Sequence, residues 1–249
     1  MSICAVIPAR LNSKRLPQKV LATIEGQPML WHVWQRVIQC NLIDQVIVAT
    51  DSEEVLQVVR GWGGEARMTS SECQSGSERV ASLIKEFESE LIINVQGDEP
   101  LLDTHLLEAL ILTWRSLRCD IITPVFRLQR AAELWNPSIV KVARSHQGRA
   151  LYFSRHPIPF VRDLPAERWL EAGPFWGHVG VYGFRRDVLE AYSSLPVSQL
   201  EQAEKLEQLR FLEAGYEIFT VETTYHPFAV DTPEDLERVR QIFAEEGRG

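Results

Sequence analysis

Short apolar segments alternate with amphipathic segments through the first half of the chain. The apolar runs predict buried strands at residues 3–8, 46–49, 91–95 and 121–125. Between them, apolar residues recur at the spacing of one helical face, which predicts helices at residues 28–38, 77–87 and 104–117 and another that Asp51 caps and that runs to 59. Such alternation predicts an α/β fold with a mostly parallel, doubly wound sheet that binds its ligands at the carboxyl ends of its strands.

The pattern changes after about residue 126. Closely spaced strands are predicted at residues 139–143, 150–153 and 177–184, which indicates an antiparallel extension of the sheet. Two helices follow, at residues 199–213 and 233–244, the second with Thr232 as its cap. No linker or repeat separates the parts, so we expect one domain over residues 1–249.

Composition narrows the class of protein. With 249 residues, 45% hydrophobic and 24% charged, the chain is typical of a globular protein, and its net charge of -8 argues against binding nucleic acid or an anionic membrane. No apolar run approaches the roughly 18 residues of a membrane span, and the start does not resemble a signal peptide. The four cysteines are far apart, which argues against zinc and disulfides and favours a cytoplasmic protein.

The loop after the first strand is strongly basic. It carries Arg10, Lys14, Arg15 and Lys19, and no acidic residue precedes Glu25. It lacks both the dinucleotide-binding glycine pattern and the P-loop pattern. The cations suit a polyphosphate and a leaving pyrophosphate, or simply a solvated turn; the position directly after the first strand favours phosphate.

Carboxylates occur at two further places, after the predicted strand at 91–95 and before the predicted helix at 233–244. Asp98 and Glu99 come directly after the strand at 91–95, where Asp98 can supply a ligand for a hard cation such as Mg²⁺ or cap the next helix. Asp231 stands one residue before the Thr232 cap, and taken alone it is more simply part of the helix start.

Three further segments carry polar groups with two interpretations each. The turn at 74–79 suits a base or ribose, or an ordinary helix cap with a surface pair of Glu78 and Arg79. His178 and Tyr182 share one face of the predicted strand at 177–184 and can reach one ligand, although a strand histidine is more often structural. The helix at 199–213 presents Glu204, Glu207 and Gln208 to sugar hydroxyls or to water.

Taken together, these segments resemble the cytidylyltransferases that activate 3-deoxy-D-manno-octulosonate (Kdo). The resemblance covers nearly the whole chain in order and spacing. It is carried by residues 7–19, 49–51, 74–79, 94–100, 136–137, 140–142, 150–155, 178–182, 205–210 and 230–236.

The resemblance implies a nucleotide-diphospho-sugar transferase fold, a homodimer and a Mg²⁺-dependent reaction. CTP and Kdo would give CMP-Kdo and pyrophosphate for lipopolysaccharide biosynthesis. Residues 1–126 would mainly bind the nucleotide, and residues 127–249 would mainly bind the sugar and form the dimer.

The resemblance also assigns roles to matching positions. The CTP phosphates would be held by Arg10, Ser13, Arg15 and Lys19. The rest of the nucleotide site would comprise Pro8, Ala9, Asp51, Gln74, Ser75, Gly76 and Arg79. The catalytic residues would be Arg10, Arg15, Lys19 and Asp98.

The remaining roles concern the metal and the sugar. Asp98 and Asp231 would coordinate Mg²⁺. The sugar acid would be bound by Gln96, Arg155, His178, Tyr182, Glu207 and Gln208, with Arg155 as the partner of its carboxylate.

The sequence departs from the family pattern at a few positions. Gln18 stands where the family commonly has Gly, and Ser77 stands where the family often has Thr. Residues 160–175 match the family pattern weakly. Gln18 is expected to narrow the conformational range of the phosphate loop. Three alternatives stay open: activity on 8-amino-Kdo, activity on another acid sugar such as sialic acid, and a non-catalytic nucleotide- or sugar-binding module.

Overall fold

A computed structural model describes residues 2–11, 13, 15–73 and 75–246. The strands are β1 (Ile3–Ala9), β2 (Thr23–Ile24), β3 (Gln27–Pro28), β4 (Gln45–Thr50), β5 (Glu65–Met68), β6 (Leu91–Asn94), β7 (Ile121–Arg127), β8 (Lys141–Arg144), β9 (Ala150–Ser154), β10 (Trp176–His178), β11 (Tyr182–Arg185) and β12 (Ile218–Thr223). The helices are α1 (Met29–Ile38), α2 (Glu53–Gly61), α3 (Gly76–Ser82), α4 (Thr104–Leu117), α5 (Ala131–Trp135), α6 (Arg186–Ala191), α7 (Gln199–Glu204), α8 (Gln208–Glu213) and α9 (Pro233–Glu246).

The chain forms two compact units, one of residues 1–108 with 227–249 and the other of residues 109–226. The boundaries of these units differ from the boundary at residue 126 that the resemblance implies between a nucleotide-binding half and a sugar-binding half. That the whole chain acts as one catalytic domain stays a prediction. No helix in the described part of the chain is both long enough and apolar enough to cross a membrane.

The first unit contains a parallel sheet in the order β5-β4-β1-β6. Strands β1 and β6 are buried almost throughout, as expected for strands covered on both faces. Helix α1 contributes Met29, Leu30, Val33 and Val37 to the core, because these positions share one helical face. The predicted parallel α/β arrangement is therefore confirmed.

The second unit is built around β7. Strand β12 lies parallel to β7, whereas β10 and β11 pair with it antiparallel. Strand β8 continues from β10, and β9 from β8, both antiparallel. This arrangement confirms the predicted antiparallel extension.

The predicted strand at 177–184 is in fact two strands, β10 and β11. Pro124 of β7 has no N–H to donate, so the ladder between β7 and its partner fails there. The partner strand turns through residues 179–181 instead, with the Val181 amide bonded to the Val179 carbonyl at 2.8 Å. The expectation that residues 178 to 182 form one regular strand face was wrong for this reason.

Three predicted helices also differ from the structure. The segment 199–213 is divided into α7 and α8, because Lys205 adopts a left-handed conformation with φ 55° that ends α7. Ser52, rather than Asp51, caps α2 by accepting a hydrogen bond from the Val55 amide at 3.4 Å. The third predicted helix ends at Ser82 and is followed by a short 3₁₀ turn, Ile84–Glu86.

Candidate functional site

The carboxyl ends of the parallel strands in the first unit gather most of the predicted nucleotide-binding residues. Pro8 and Ala9 end β1 beside the end of β4, which leads to Asp51. Strand β5 leads into the segment before α3, and β6 leads to Gln96 and Asp98. Because these strands are parallel, their carboxyl ends meet at one edge, where α/β sheets bind ligands.

A cluster of opposite charges lies at this edge. The Lys19 ammonium lies 2.5 Å from Asp98 Oδ2 and 3.1 Å from Asp231 Oδ1. Arg15 approaches the other Asp231 oxygen, Oδ2, at 2.9 Å. The cations assigned to phosphate and the carboxylates assigned to metal therefore neutralise one another in this structure.

A main-chain hydrogen bond holds together the two segments that carry Asp98 and Asp231, which are far apart in sequence. The Val230 amide donates to the Asp98 carbonyl at 2.9 Å, which places Asp231 beside Asp98. Asp231 is held in turn by the start of α9, where Asp235 accepts from the amides of Asp231 and Thr232 at 3.1 and 2.9 Å. The Asp235 amide donates to Thr232 Oγ1, so Thr232 is the predicted cap.

The basic loop is anchored just before Lys19. Leu16 packs against the apolar cluster that contains Met29, Val230 and Val239. Gln18 has φ 53° and ψ 29°, a left-handed conformation that glycine adopts without steric cost. A glycine, which the resemblance leads one to expect at this position, would adopt this backbone conformation without the strain that Gln18 bears.

The chemistry of the acidic pair fits a hard divalent cation. Asp98 and Asp231 present carboxylate oxygens to one positive centre, the Lys19 ammonium, so their positions already suit a cation. Within the described ranges, no group of three or more His, Cys, Asp and Glu suited to a metal occurs. Proteins commonly bind Mg²⁺ through one or two carboxylates, with phosphate and water oxygens as the remaining ligands.

Arg79 is buried and bound to other site residues. Its guanidinium donates to Asp51 Oδ2 at 2.9 Å and to Thr69 Oγ1. The alternative of a surface pair with Glu78 was wrong, because the Arg79 side chain is only 3% exposed. These contacts hold Asp51 and the segment after β5 in place, and a direct contact of Arg79 with cytidine stays a prediction.

Ser75 and Gly76 begin α3, and Gln74 lies outside the described residues. Ser75 caps the helix by accepting from the Glu78 amide at 3.1 Å. A Cβ at Gly76 would lie 3.3 Å from the Pro8 ring and 3.5 Å from the Gln96 amide oxygen. A Cβ on Gly97 would lie 2.9 Å from the Pro8 carbonyl oxygen, so this strand edge depends on glycine for close packing.

Arg10 and Ser13 occupy the start of the loop. Arg10 is exposed and Ser13 is half-buried, so both are accessible to a ligand. Their contact with phosphate stays a prediction.

In the second unit, three rings cluster at the break between β10 and β11. The His178 ring lies 5.2 Å from that of Tyr182 and 5.3 Å from that of Phe153. Burial lowers the pKa of His178 to about 3, and burial together with the negative charge of Glu207 raises that of Tyr182 well above its usual value. His178, Tyr182 and Glu207 thus belong to one neighbourhood.

Gln208 follows Glu207 at the first position of α8. Its side chain is 5% exposed, and its Nε2 is buried without a hydrogen-bond partner among the described residues. A buried donor without a partner is costly, which is consistent with a ligand that supplies the acceptor.

Arg155 binds main-chain carbonyls. Its Nε, Nη1 and Nη2 donate to Glu204 O at 2.8 Å, Pro137 O at 3.0 Å and Lys205 O at 3.3 Å. The guanidinium therefore fixes the break between α7 and α8, immediately before Glu207. Its role with the sugar carboxylate stays a prediction.

Sequence reasoning missed Thr123 and left open whether Glu204 faces a sugar or water, and both residues organise this neighbourhood. Thr123 bonds to the His178 ring, and the Glu204 carboxylate accepts from the Ser154 hydroxyl and the Arg155 amide at 2.7 and 2.9 Å. The available signal for Thr123 was a single hydroxyl beside a proline in an otherwise apolar strand.

The chain is similar to known proteins over nearly its whole length. The cytidylyltransferase family model matches residues 4–218. A 3-deoxy-manno-octulosonate cytidylyltransferase from Solibacter usitatus is 44% identical over 243 residues, which cover 97% of this chain and 94% of the relative. The enzyme of the same name from Syntrophotalea carbinolica is 45% identical over 246 residues, 96% of this chain and 97% of the relative.

Solved structures give a similar result. A CMP:2-keto-3-deoxy-manno-octonic acid synthetase in complex with CTP matches with a TM-score of 0.93 and 42% identity, covering 99% of this chain and all of that one. A 4-diphosphocytidyl-2C-methyl-D-erythritol synthase from Anaerococcus prevotii matches with a TM-score of 0.63 over 98% of each chain. Its 14% identity supports the shared fold alone.

Proposed function

The chain belongs to the cytidylyltransferase family and, within it, to the 3-deoxy-manno-octulosonate cytidylyltransferases, and we propose that it makes CMP-Kdo from CTP and Kdo. The anomeric 2-hydroxyl oxygen of Kdo attacks the α-phosphorus, the bond from that phosphorus to the β-phosphate oxygen breaks, and pyrophosphate leaves. The hydroxyl proton passes to water. The product serves lipopolysaccharide biosynthesis.

The observation that carries this proposal is the charge cluster of Lys19, Asp98 and Asp231 at the carboxyl edge of the parallel sheet. Lys19 and Arg15 exchange their carboxylate partners for phosphate oxygens when CTP binds, with Arg10 and Ser13 completing the phosphate contacts. Because phosphoryl transfer depends mainly on positioning and charge neutralisation, these side chains need no covalent role.

Asp98 and Asp231 would hold Mg²⁺ together with the phosphates. Bound there, the ion would neutralise charge on the triphosphate and on the leaving pyrophosphate. The protein's own contribution is to keep the two carboxylates adjacent through the bond from the Val230 amide to the Asp98 carbonyl.

The remaining predicted site residues bind the cytidine and the sugar. Cytidine is bound by Gln74, Ser75, Gly76 and Arg79, and the nucleotide site also includes Pro8, Ala9 and Asp51. The sugar acid is bound by Gln96, Arg155, His178, Tyr182, Glu207 and Gln208.

The decisive experiment is pyrophosphate release from CTP and Mg²⁺ with Kdo, 8-amino-Kdo and N-acetylneuraminate compared side by side. We expect release with Kdo, and an Asp98→Asn variant that is inactive yet as resistant to thermal unfolding as the wild type. Release only with one of the other two sugars would reassign the substrate. CTP binding without release in any arm would favour a non-catalytic binding module.

We also propose that the enzyme is a cytoplasmic homodimer, as its resemblance to the family implies. The exposed Trp135 and Phe160 of the second unit, 43% and 73% exposed, offer apolar surface for such contacts. Sedimentation across a range of protein concentrations tests this, and a mass of one chain at all concentrations would contradict it.

A further inference from the structure

Thr123 lies at the point where the ladder between β7 and its partner strand fails. Its side chain is fully buried, and the next residue, Pro124, has no N–H. The turn at residues 179–181 faces this interruption, with the Val179 amide donating to the Pro124 carbonyl at 3.0 Å. The Thr123 hydroxyl therefore sits among groups that the regular ladder does not satisfy.

Three hydrogen-bond partners surround this hydroxyl, which has a single proton to donate. Thr123 Oγ1 lies 2.8 Å from the Val181 carbonyl oxygen, 3.2 Å from the Val179 carbonyl oxygen and 2.8 Å from His178 Nε2. A carbonyl oxygen can only accept, so the hydroxyl proton points toward the carbonyls. The contact with His178 is then satisfied only if Nε2 carries a proton and donates to Oγ1.

This proton count determines the other ring nitrogen. A neutral imidazole protonated on Nε2 has its lone pair on Nδ1. The structure gives His178 Nδ1 no hydrogen-bond partner among the described residues, while Phe153 and Tyr182 pack near the ring. Burial lowers the pKa of His178 to about 3, so the ring stays neutral at physiological pH.

We propose that Thr123 is a positioning residue that fixes the Nε2–H tautomer of His178, so that Nδ1 accepts a hydrogen bond from a hydroxyl of the sugar. This inference rests on the proposed function, because it deepens the role of the same sugar site. The recognised chemistry is a hydroxyl donor of a polyol and excludes a carboxylate, which has no proton to offer Nδ1 at neutral pH.

The neighbouring Gln208 is complementary to this assignment. Its Nε2 is a buried donor without a partner among the described residues. His178 Nδ1 is the acceptor that the proton count leaves on the ring once Nε2 donates to Thr123. Sugar hydroxyls donate and accept at once, so they satisfy both groups.

The tautomer is tested directly by ¹⁵N NMR on ligand-free protein labelled at histidine. The chain has six histidines, so the His178 signals are assigned by their loss in a His178→Asn variant. We expect a protonated Nε2 and an unprotonated Nδ1. The reverse tautomer would overturn the proposal whether or not the protein turns over Kdo, so this result is separate from the test of function.

The role of Thr123 is tested with a matched set of variants. Thr123→Val removes the hydroxyl at nearly constant volume, and we expect a mixed tautomer and a KM for Kdo raised about tenfold at unchanged KM for CTP. Thr123→Ser restores the hydroxyl and should restore both properties. Thr220, also buried, is the register partner of Thr123 on β12, but its hydroxyl donates to the Gly148 carbonyl, so Thr220→Val is the control.

The comparison has clear outcomes. A raised KM for Kdo in Thr123→Val, with Thr123→Ser and Thr220→Val near wild type, supports the proposal. Equal KM values in Thr123→Val and Thr220→Val would overturn it. Should Thr123→Val fail to fold, the wild-type tautomer and the Thr123→Ser variant still decide the question.

Discussion

The ammonium of Lys19 lies 2.5 Å from the Oδ2 of Asp98, at the carboxyl edge of the parallel sheet. Lys19 is nearly buried, with a side chain 12% exposed, and it also contacts Asp231. A cation of the protein thus stands where the carboxylates would meet a metal. Under the proposed function, binding of a divalent ion and nucleotide would move Lys19 from the carboxylates to the phosphates.

Replacing Lys19 with methionine is expected to strengthen metal binding and weaken catalysis. Without the competing ammonium, Mn²⁺ in the absence of nucleotide should bind about tenfold more tightly, as measured by the loss of the free-ion EPR signal. Pyrophosphate release should fall by about 10²–10³-fold, because the triphosphate loses a preorganised cation.

Two further variants serve as controls for this measurement. Lys85→Met removes an exposed lysine and should leave both properties unchanged. Asp98→Asn should abolish Mn²⁺ binding. Unchanged or weaker Mn²⁺ binding by Lys19→Met would show that Lys19 does not compete for the carboxylates.

Gln18→Gly is expected to stabilise the protein. Gln18 has φ 53°, a conformation that costs a residue with a Cβ about 1 kcal/mol and glycine almost nothing. Part of this gain is offset by the greater freedom of glycine in the unfolded chain, so we expect an increase of about 0.5 kcal/mol in the free energy of unfolding.

Urea denaturation of a matched substitution checks this prediction. Gln39 has φ −71° and ψ −16°, an ordinary helical conformation at the end of α1. Gln39→Gly should therefore lower the free energy of unfolding by about 0.5–1 kcal/mol. If both glycine substitutions destabilise the protein equally, the left-handed geometry of Gln18 carries no cost.

The elements predicted best from sequence were those determined by local signals. Helix α4 begins at Thr104 and ends at Leu117 as predicted, and α9 begins at Pro233 beside the predicted cap. Their apolar spacing and capping residues are contained in the segments themselves.

The elements predicted wrongly depend on distant residues. The strand at 177–184 is divided because of Pro124 on a neighbouring strand, and no pattern within the segment reveals this. The helix at 199–213 is divided at Lys205, where Arg155 binds the Lys205 and Glu204 carbonyls. That Asp98 and Asp231 lie close enough to share Lys19 could be expected only from the family resemblance, since the three residues are far apart in sequence.

Arg155→Lys is expected to loosen the break between α7 and α8. Lysine keeps the charge but lacks the planar fork that reaches the carbonyls of Pro137, Glu204 and Lys205 together. Amide hydrogen exchange in residues 204–208 of the ligand-free protein should become faster, and the KM for Kdo should rise about tenfold at constant KM for CTP.

A second arginine provides the control for this variant. Arg149 pairs with Glu217 at 3.0 Å on the surface of the same unit, so Arg149→Lys should change neither exchange nor KM. A raised KM for Kdo without faster exchange in Arg155→Lys would instead favour direct contact of Arg155 with the sugar carboxylate.

The burial of Lys141 predicts a pH dependence of stability. Its side chain is fully buried, and its ammonium donates to the carbonyls of Asn136 and Ile139 at 2.9 and 2.7 Å. Burial, assisted by the positive charge of Arg155 and opposed by the negative charge of Glu204, lowers the pKa of Lys141 from 10.5 to about 8. The folded protein therefore binds fewer protons than the unfolded chain between about pH 8 and 10.5, and stability from this group rises with pH across that window.

Lys141→Met isolates this contribution, because other titrating groups are common to both proteins. The free energy of unfolding of the wild type relative to Lys141→Met should increase by on the order of 1–2 kcal/mol between about pH 7 and pH 9.5, as measured by urea denaturation. The direction of this change with pH follows from the protonation of Lys141. Below about pH 8 Lys141 is charged in both the folded and the unfolded state, so folding bears the full cost of burying the ammonium. At higher pH the folded protein holds neutral Lys141 and that cost is reduced. A difference that stays constant or falls with rising pH would show that the two carbonyls compensate fully for burying the ammonium.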